Sequence, residues 1–141
     1  MGAGFRSPEE FREVMDLIFT MMDEDAAMGP ALQAADVPQR FEFSDVDMVC
    51  NIRAARPEED GRLRWEWSDD VEWSPKVRMT MSSETANRYF QGKENIAIAI
   101  ARRRIKTGGD VKAALALMPI IKPLYPRYRL LVGAEYPHLE A

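Results

Sequence analysis

Residues 86–126, ANRYFQGKENIAIAIARRRIKTGGDVKAALALMPIIKPLYP, change their hydrophobic period three times. Tyr89, Phe90, Ile96, Ile100 and Ala101 fit one helical face, and Val111, Ala114, Leu115 and Met118 recur at i, i+3, i+4 and i+7. Between the two patterns Arg104-Ile105-Lys106-Thr107 alternates as a short strand does. Two glycines then precede Asp110, a well-formed N-cap whose carboxylate accepts the orphan amide hydrogens of the next turn and complements the helix dipole. The stretch predicts helix, turn, helix, basic strand, helix and a proline-marked tail, which is an α+β unit in itself.

Upstream, Ser7-Pro8-Glu9-Glu10 opens a helix with three agreeing signals: a serine N-cap, proline at the first helical position, and glutamate three residues after the cap. Phe11, Val14, Met15, Ile18, Phe19 and Met22 form its apolar stripe, leaving Glu10, Arg12, Glu13, Asp16, Asp23 and Glu24 as a solvated face. Gly29-Pro30 is expected to break this helix, with a short helical turn over residues 31–35. From Phe41 the period becomes two: Val46, Met48, Cys50 and Ile52 alternate with Asp45, Asp47, Val49 and Asn51. Asp60-Gly61 marks a hairpin to a strand carrying Leu63, Trp65 and Trp67, and Val77, Met79 and Met81 alternate in a third strand. These strands read as a hairpin-linked antiparallel meander over residues 41–81. Ser82 or Ser83 caps the helix that begins the opening stretch.

A chain of 141 residues, 46% apolar, is of single-domain size and buries one core. The expected organisation is one domain over 1–141, with an N-terminal helical segment at 8–35, the meander at 41–81, helices and a basic strand at 82–118, and a C-terminal lid at 120–133. One cysteine, Cys50, excludes an internal disulfide, and one histidine, His138, leaves no zinc set, so no metal or other cofactor is expected. No apolar run reaches signal-peptide or membrane-spanning length, which points to a cytoplasmic protein.

The net charge of -4 divides unevenly: residues 1–75 hold 7 basic and 18 acidic side chains, and residues 76–141 hold 12 basic and 5 acidic. A pI near 5.1 argues against nucleic acid as a partner. The basic run Arg102, Arg103, Arg104 and Lys106 reads either as plain surface or as a contact for anionic headgroups and membranes.

Asp45 and Asp47, set on one strand face, are the only paired carboxylates to consider for acid–base chemistry, and no cleft is evident beside them. Cys50 on an apolar face reads as a buried, inert thiol. Gly108-Gly109-Asp110 lacks the spaced glycines of a dinucleotide or P-loop site, and the acidic cap repels an incoming anion. More telling are nine methionines and three tryptophans, because flexible thioethers adapt to ligands of varied shape.

The order of elements resembles the sterol carrier protein-2 superfamily, the non-specific lipid-transfer or sterol-binding domain, from about Pro8 to Val132. The residues that carry it are Val77-Arg78-Met79-Thr80-Met81, Ser83-Glu84-Thr85, Phe90-Gln91-Gly92-Lys93, Arg104-Ile105-Lys106, and Gly109-Asp110 leading into 111–117. The resemblance implies a curved, mainly antiparallel sheet of about five strands, covered on one face by helices, with an internal apolar cavity that holds sterols, fatty acids, acyl-coenzyme A or other lipids. Arg103 stands where that family commonly ends the helix with glycine, and residues 138–141 do not form a Ser-Lys-Leu type of address.

On this reading the ligand is met by Met48, Cys50, Trp65, Trp67, Met79, Met81, Phe90, Ile100, Leu115 and Met118, with Leu124, Tyr125 and Tyr128 in a lid. The expected function is binding or transfer of a lipid, sterol, fatty acid or acyl thioester without catalysis. Two alternatives stay open: an enzyme using the same pocket with Asp45, Asp47 or a tail tyrosine as acid or base, and a helper module that docks to a partner enzyme.

Overall fold

A computed structural model describes residues 4–141; the first three residues of the expected 1–141 domain lie outside it. Helix α1 (Pro8–Glu24) starts as its sequence requires: the Ser7 hydroxyl accepts the Glu10 amide at 3.1 Å, and Pro8 sits in the first turn. Its six stripe residues are all buried. The break comes at Asp25 rather than at Gly29-Pro30. The Asp25 carboxylate takes the amides of Ala27 (2.9 Å) and Met28 (2.7 Å), and α2 (Met28–Ala35) contains Gly29 and Pro30 in its first turn, where proline's missing donor is harmless.

Five strands follow in the order β3-β2-β1-β4-β5: β1 (Gln39–Phe43), β2 (Met48–Ala54), β3 (Leu63–Glu66), β4 (Val77–Met81) and β5 (Lys106–Gly109). The expected three-strand meander is corrected in two respects. The alternating run Gln39-Arg40-Phe41-Glu42-Phe43 is a strand of its own, so Asp45 to Asp47 form the turn between β1 and β2 rather than part of a strand. The meander is β1-β2-β3, and β4 crosses to the far side of β1 and pairs with it in parallel, Phe41 opposite Met79 and Phe43 opposite Met81. A parallel pair needs a long crossover. Here the β2–β3 hairpin and the loop after it supply the length. The loop also covers the outer sheet face: Ser68 O accepts the Asn51 amide at 2.7 Å, Asp69 O accepts from Arg40 at 3.0 Å, and Trp73 lies 4.9 Å from the Arg53 guanidinium.

The remaining elements are helices: α3 (Ser83–Phe90), α4 (Ile96–Ala101), α5 (Val111–Ala116), α6 (Met118–Ile121) and α7 (Leu124–Glu135), then a 3₁₀ turn at Pro137–Leu139. Ser82 caps α3 and Asp110 caps α5 through the Ala113 amide at 3.0 Å. The basic strand lies two residues later than its alternation indicates, and both glycines belong to it. Gly109, at φ +81°, passes so close to Lys76 that a Cβ would stand 2.4 Å from the Lys76 carbonyl oxygen, a position open to glycine alone. Helix α4 ends in a Schellman closure, with the Arg104 amide on Ala99 O (2.9 Å), the Arg103 amide on Ile100 O (3.1 Å), and Arg103 at φ +61° in the left-handed site that glycine usually fills. The tail helix α7 begins just after Pro123, as its prolines suggest, and runs for 12 residues.

The inner sheet face, carrying Phe41, Phe43, Cys50, Ile52, Val77, Met79 and Met81, packs against the helices in one buried cluster. Three α1 acids expected in solvent are engaged instead. Glu10 meets His138 at 2.8 Å, Asp16 accepts the indole hydrogens of Trp65 (3.1 Å) and Trp67 (2.7 Å), and Asp23 accepts the amides of Arg62 (2.6 Å) and Leu63 (2.8 Å).

Candidate functional site

Between the inner sheet face and the helices lies an apolar void of about 40 Å³. The sheet contributes Phe41, Ile52, Leu63 and Met79 to its wall; the helices contribute Phe19 and Met22 from α1, Leu32 from α2, Tyr89 and Phe90 from α3, Ile96 from α4, Leu117 from α5's C-terminal end and Ile121 from α6. Gln39 and Tyr89 bring the only side-chain polar groups to this wall. The period-two pattern of β1 puts Gln39 there, on the same face as Phe41 and Phe43. Burial, and then Tyr125 beside it, hold the Tyr89 phenol well above its ordinary pKa, so it stays a neutral hydrogen-bonding group. Its ring meets Tyr125 edge-on at 5.8 Å.

Ligand pockets for drug-sized molecules run to roughly 300–1,000 Å³. A void of about 40 Å³ lies well below that range and is too small for any lipid chain. The elements on its helical side are unequal in strength. Helix α1 has 17 residues and a fully buried stripe, whereas α4 and α5 have six residues each and α6 has four. Short helices with few buried side chains open at the lowest free-energy cost.

Of the thirteen residues expected to line the ligand site, Met79 and Phe90 are in the wall. Cys50 and Met81 are buried on the same sheet face, but outside the void. Burial raises the Cys50 thiol pKa, with Asp16 adding to it, which leaves an unreactive SH. Met48, Trp65 and Trp67 are half-buried against the core, the two indoles fixed by Asp16. Ile100, Leu115 and Met118 are half-buried on the helices over the void. Leu124 and Tyr128 are fully buried in α7, and Tyr128 donates its hydroxyl hydrogen to Asn87 Oδ1 at 2.6 Å. Asn87 and Gln91 in turn donate to Leu139 O, each at 2.8 Å, so the tail is fastened by a buried polar network. Tyr125, half-buried, covers Tyr89 from outside.

Among the wall residues not anticipated are Phe19, Met22, Leu32, Gln39, Phe41, Ile52, Leu63, Tyr89, Ile96, Leu117 and Ile121. The α1 stripe already showed the first pair, but periodicity shows which face is buried and not what it encloses.

Asp45 caps the turn into α3, its two oxygens accepting the Ser83 amide (2.8 Å) and hydroxyl (2.6 Å), and Asp47 is an exposed left-handed turn residue. Neither borders the void. Within the basic run, Arg104 forks onto Glu94 at 2.7 and 3.0 Å, while Arg102, Arg103 and Lys106 are exposed. Arg103, Arg104 and Lys106 share an open polar groove with Glu84, Arg88 and Glu94. Among the described residues there is no cluster of side chains suited to a metal ion, and no helix is long and apolar enough to cross a membrane.

No family model matches the chain, and no curated protein matches it in sequence. Solved structures do match it in shape. One is UbiJ-SCP2, a ubiquinone synthesis protein, with a TM-score of 0.61 at 8% identity over 83% of this chain and 96% of that one. Another is sterol carrier protein 2 from Yarrowia lipolytica, with a TM-score of 0.55 at 18% identity over 89% of this chain and 96% of that one. A third is the sec-alkylsulfatase Pisa1 from Pseudomonas sp., with a TM-score of 0.53 at 16% identity over 62% of this chain, where the chain spans only 13% of the sulfatase's length. The chain thus has the fold of sterol carrier protein 2 domains, an α+β fold on a five-stranded mixed sheet.

Proposed function

We propose, from a fold shared with sterol carrier protein 2 domains, that this chain binds and transfers a hydrophobic small molecule: a lipid, sterol, fatty acid or acyl thioester. The supporting observation is the void between sheet and helices, walled by apolar side chains with only Gln39 and Tyr89 to orient a polar end. The ligand enters by displacing the short helices α4, α5 and α6, and the void expands around it. An empty pocket of 300 Å³ would cost about 7 kcal/mol at roughly 24 cal/mol per Å³, as large as the whole stability of a small domain, so the unloaded protein closes on itself. A cytoplasmic location belongs to the same proposal.

Titration with a fluorescent fatty acid tests it. One equivalent is expected to bind, and Met79→Trp, which fills the void, is expected to abolish uptake while leaving the fold intact. Unchanged uptake in folded Met79→Trp protein would move the ligand elsewhere.

The likeness to a short part of a far longer sulfatase favours a second reading, that such a fold serves an enzyme by presenting its hydrophobic substrate. Co-purification of a partner enzyme that salt disrupts would support it.

A further inference from the structure

The two charge halves of the chain meet in few direct ion pairs. Of the six ion pairs among the described residues, only Arg127–Asp25 and His138–Glu10 join them. Residues 91–123, which form the short helices over the void together with β5, hold seven basic side chains and two acidic ones. The acids are engaged: Glu94 is held by Arg104 at 2.7 Å, and Asp110 caps α5. Lys93, Arg102, Arg103, Lys106, Lys112 and Lys122 are exposed and enter no ion pair among the described residues.

Set within this charge is an apolar tip. Helix α4 reads Ile-Ala-Ile-Ala-Ile-Ala. Ile96 and Ala99 face inward, while Ile98 is 47% exposed, with Ala97 and Ala101 beside it and Arg102 one turn on. A second apolar patch adjoins the start of α4, where Met118, Pro119 and Tyr125 line an open groove with Asn95, edged by Lys93 and Lys122. Exposed apolar side chains ringed by lysine and arginine match an anionic bilayer, which accepts the apolar tip below its headgroups and the cations at them.

We infer that the outer face of α4 and the adjoining α6 edge dock this protein on anionic lipid membranes. Ile98 inserts, and Arg102, Arg103, Lys93 and Lys122 contact the headgroups. The same helices close the void through Ile96, Leu117 and Ile121, so docking brings the membrane to the side at which the proposed pocket opens. That last point rests on the carrier reading; the docking does not.

The test is co-sedimentation of the full chain with phosphatidylcholine vesicles with and without 30% phosphatidylserine, alongside the fatty-acid titration, so that failure of either leaves the other readable. Binding is expected only with phosphatidylserine and is expected to fall steeply with salt. Arg102→Glu and Arg103→Gly should weaken it about fivefold or more each, at roughly 1 kcal/mol per charge near the surface. Arg103→Gly keeps the left-handed helix end and so retains the fold. Ile98→Asp should weaken binding at least as much. Arg56→Glu, at the opposite edge of the sheet, should not. No binding to anionic vesicles, or equal losses with Arg56→Glu, would overturn the inference, as would insensitivity to Ile98→Asp in protein shown folded by circular dichroism. Capture of an acidic protein in place of vesicles would overturn it too.

Discussion

Phe41 of β1 stands directly opposite Met79 of β4 in the parallel register, and both side chains form part of the wall of the internal void. The one parallel pairing in the sheet thus also builds the floor of the candidate site. Phe41 is 7% exposed and Met79 4%. Truncating Phe41 to alanine is expected to cost about 3–5 kcal/mol in urea denaturation, as for other buried aromatic side chains. A bound fatty acid should restore part of that loss by filling the space. A cost below about 1 kcal/mol would mean that the sheet face is not packed as described.

Gly108 and Gly109 offer an internal comparison. At Gly109 a methyl group meets the Lys76 carbonyl oxygen at 2.4 Å in a left-handed backbone, whereas at Gly108 nothing lies within 4 Å. Gly109→Ala should destabilise by about 2 kcal/mol or more and loosen the β4–β5 edge, while Gly108→Ala should be neutral or stabilising by up to about 1 kcal/mol. Thermal unfolding of the pair checks this. Equal effects would contradict the register of β5.

Asp16 joins α1 to the end of β3 by accepting from two indoles. Replacing it with alanine leaves both N–H groups to find water and is expected to cost about 2 kcal/mol. Tryptophan emission should shift to the red, because Trp65 and Trp67 are half-buried where they meet it. An unchanged spectrum would show that the indoles do not depend on that carboxylate.

Glu59 carries the clearest acid sensitivity. Its fork to Arg53 (2.7 and 2.9 Å) and the Arg56 amide (2.8 Å) lower its pKa from 4.5 to about 2. A carboxylate depressed on folding contributes stability that is complete above its unfolded pKa and is lost as pH falls through the folded one. Melting temperature should therefore decline between about pH 4.5 and pH 2, and the decline should be shallower in Glu59→Gln. Parallel curves for the two proteins would remove Glu59 as a cause.

Local patterns revealed much of this fold. The Ser7 cap, the α1 stripe, the Asp60-Gly61 hairpin and the Asp110 cap are each signalled by residues within one turn of one another, where short-range physics decides. What escaped depends on distant partners. Nothing near Val77 announces that its strand will pair with Gln39, and nothing in α1 distinguishes Asp16, met by two indoles some fifty positions away, from a solvated acid. The site was less legible than the fold for the same reason. Met79 and Phe90, expected on inward faces, do border the void, but inward faces do not reveal which buried side chains enclose a space and which fill one. Cys50, Leu124 and Tyr128 fill.

The central claim is that the closed void is the resting form of a pocket for a hydrophobic molecule. Native mass spectrometry of protein purified gently from cells tests it most directly. The account predicts one bound hydrophobic small molecule per chain, or, for a bare chain, stoichiometric uptake of added fatty acid. A folded chain that carries no ligand and takes up none would contradict it.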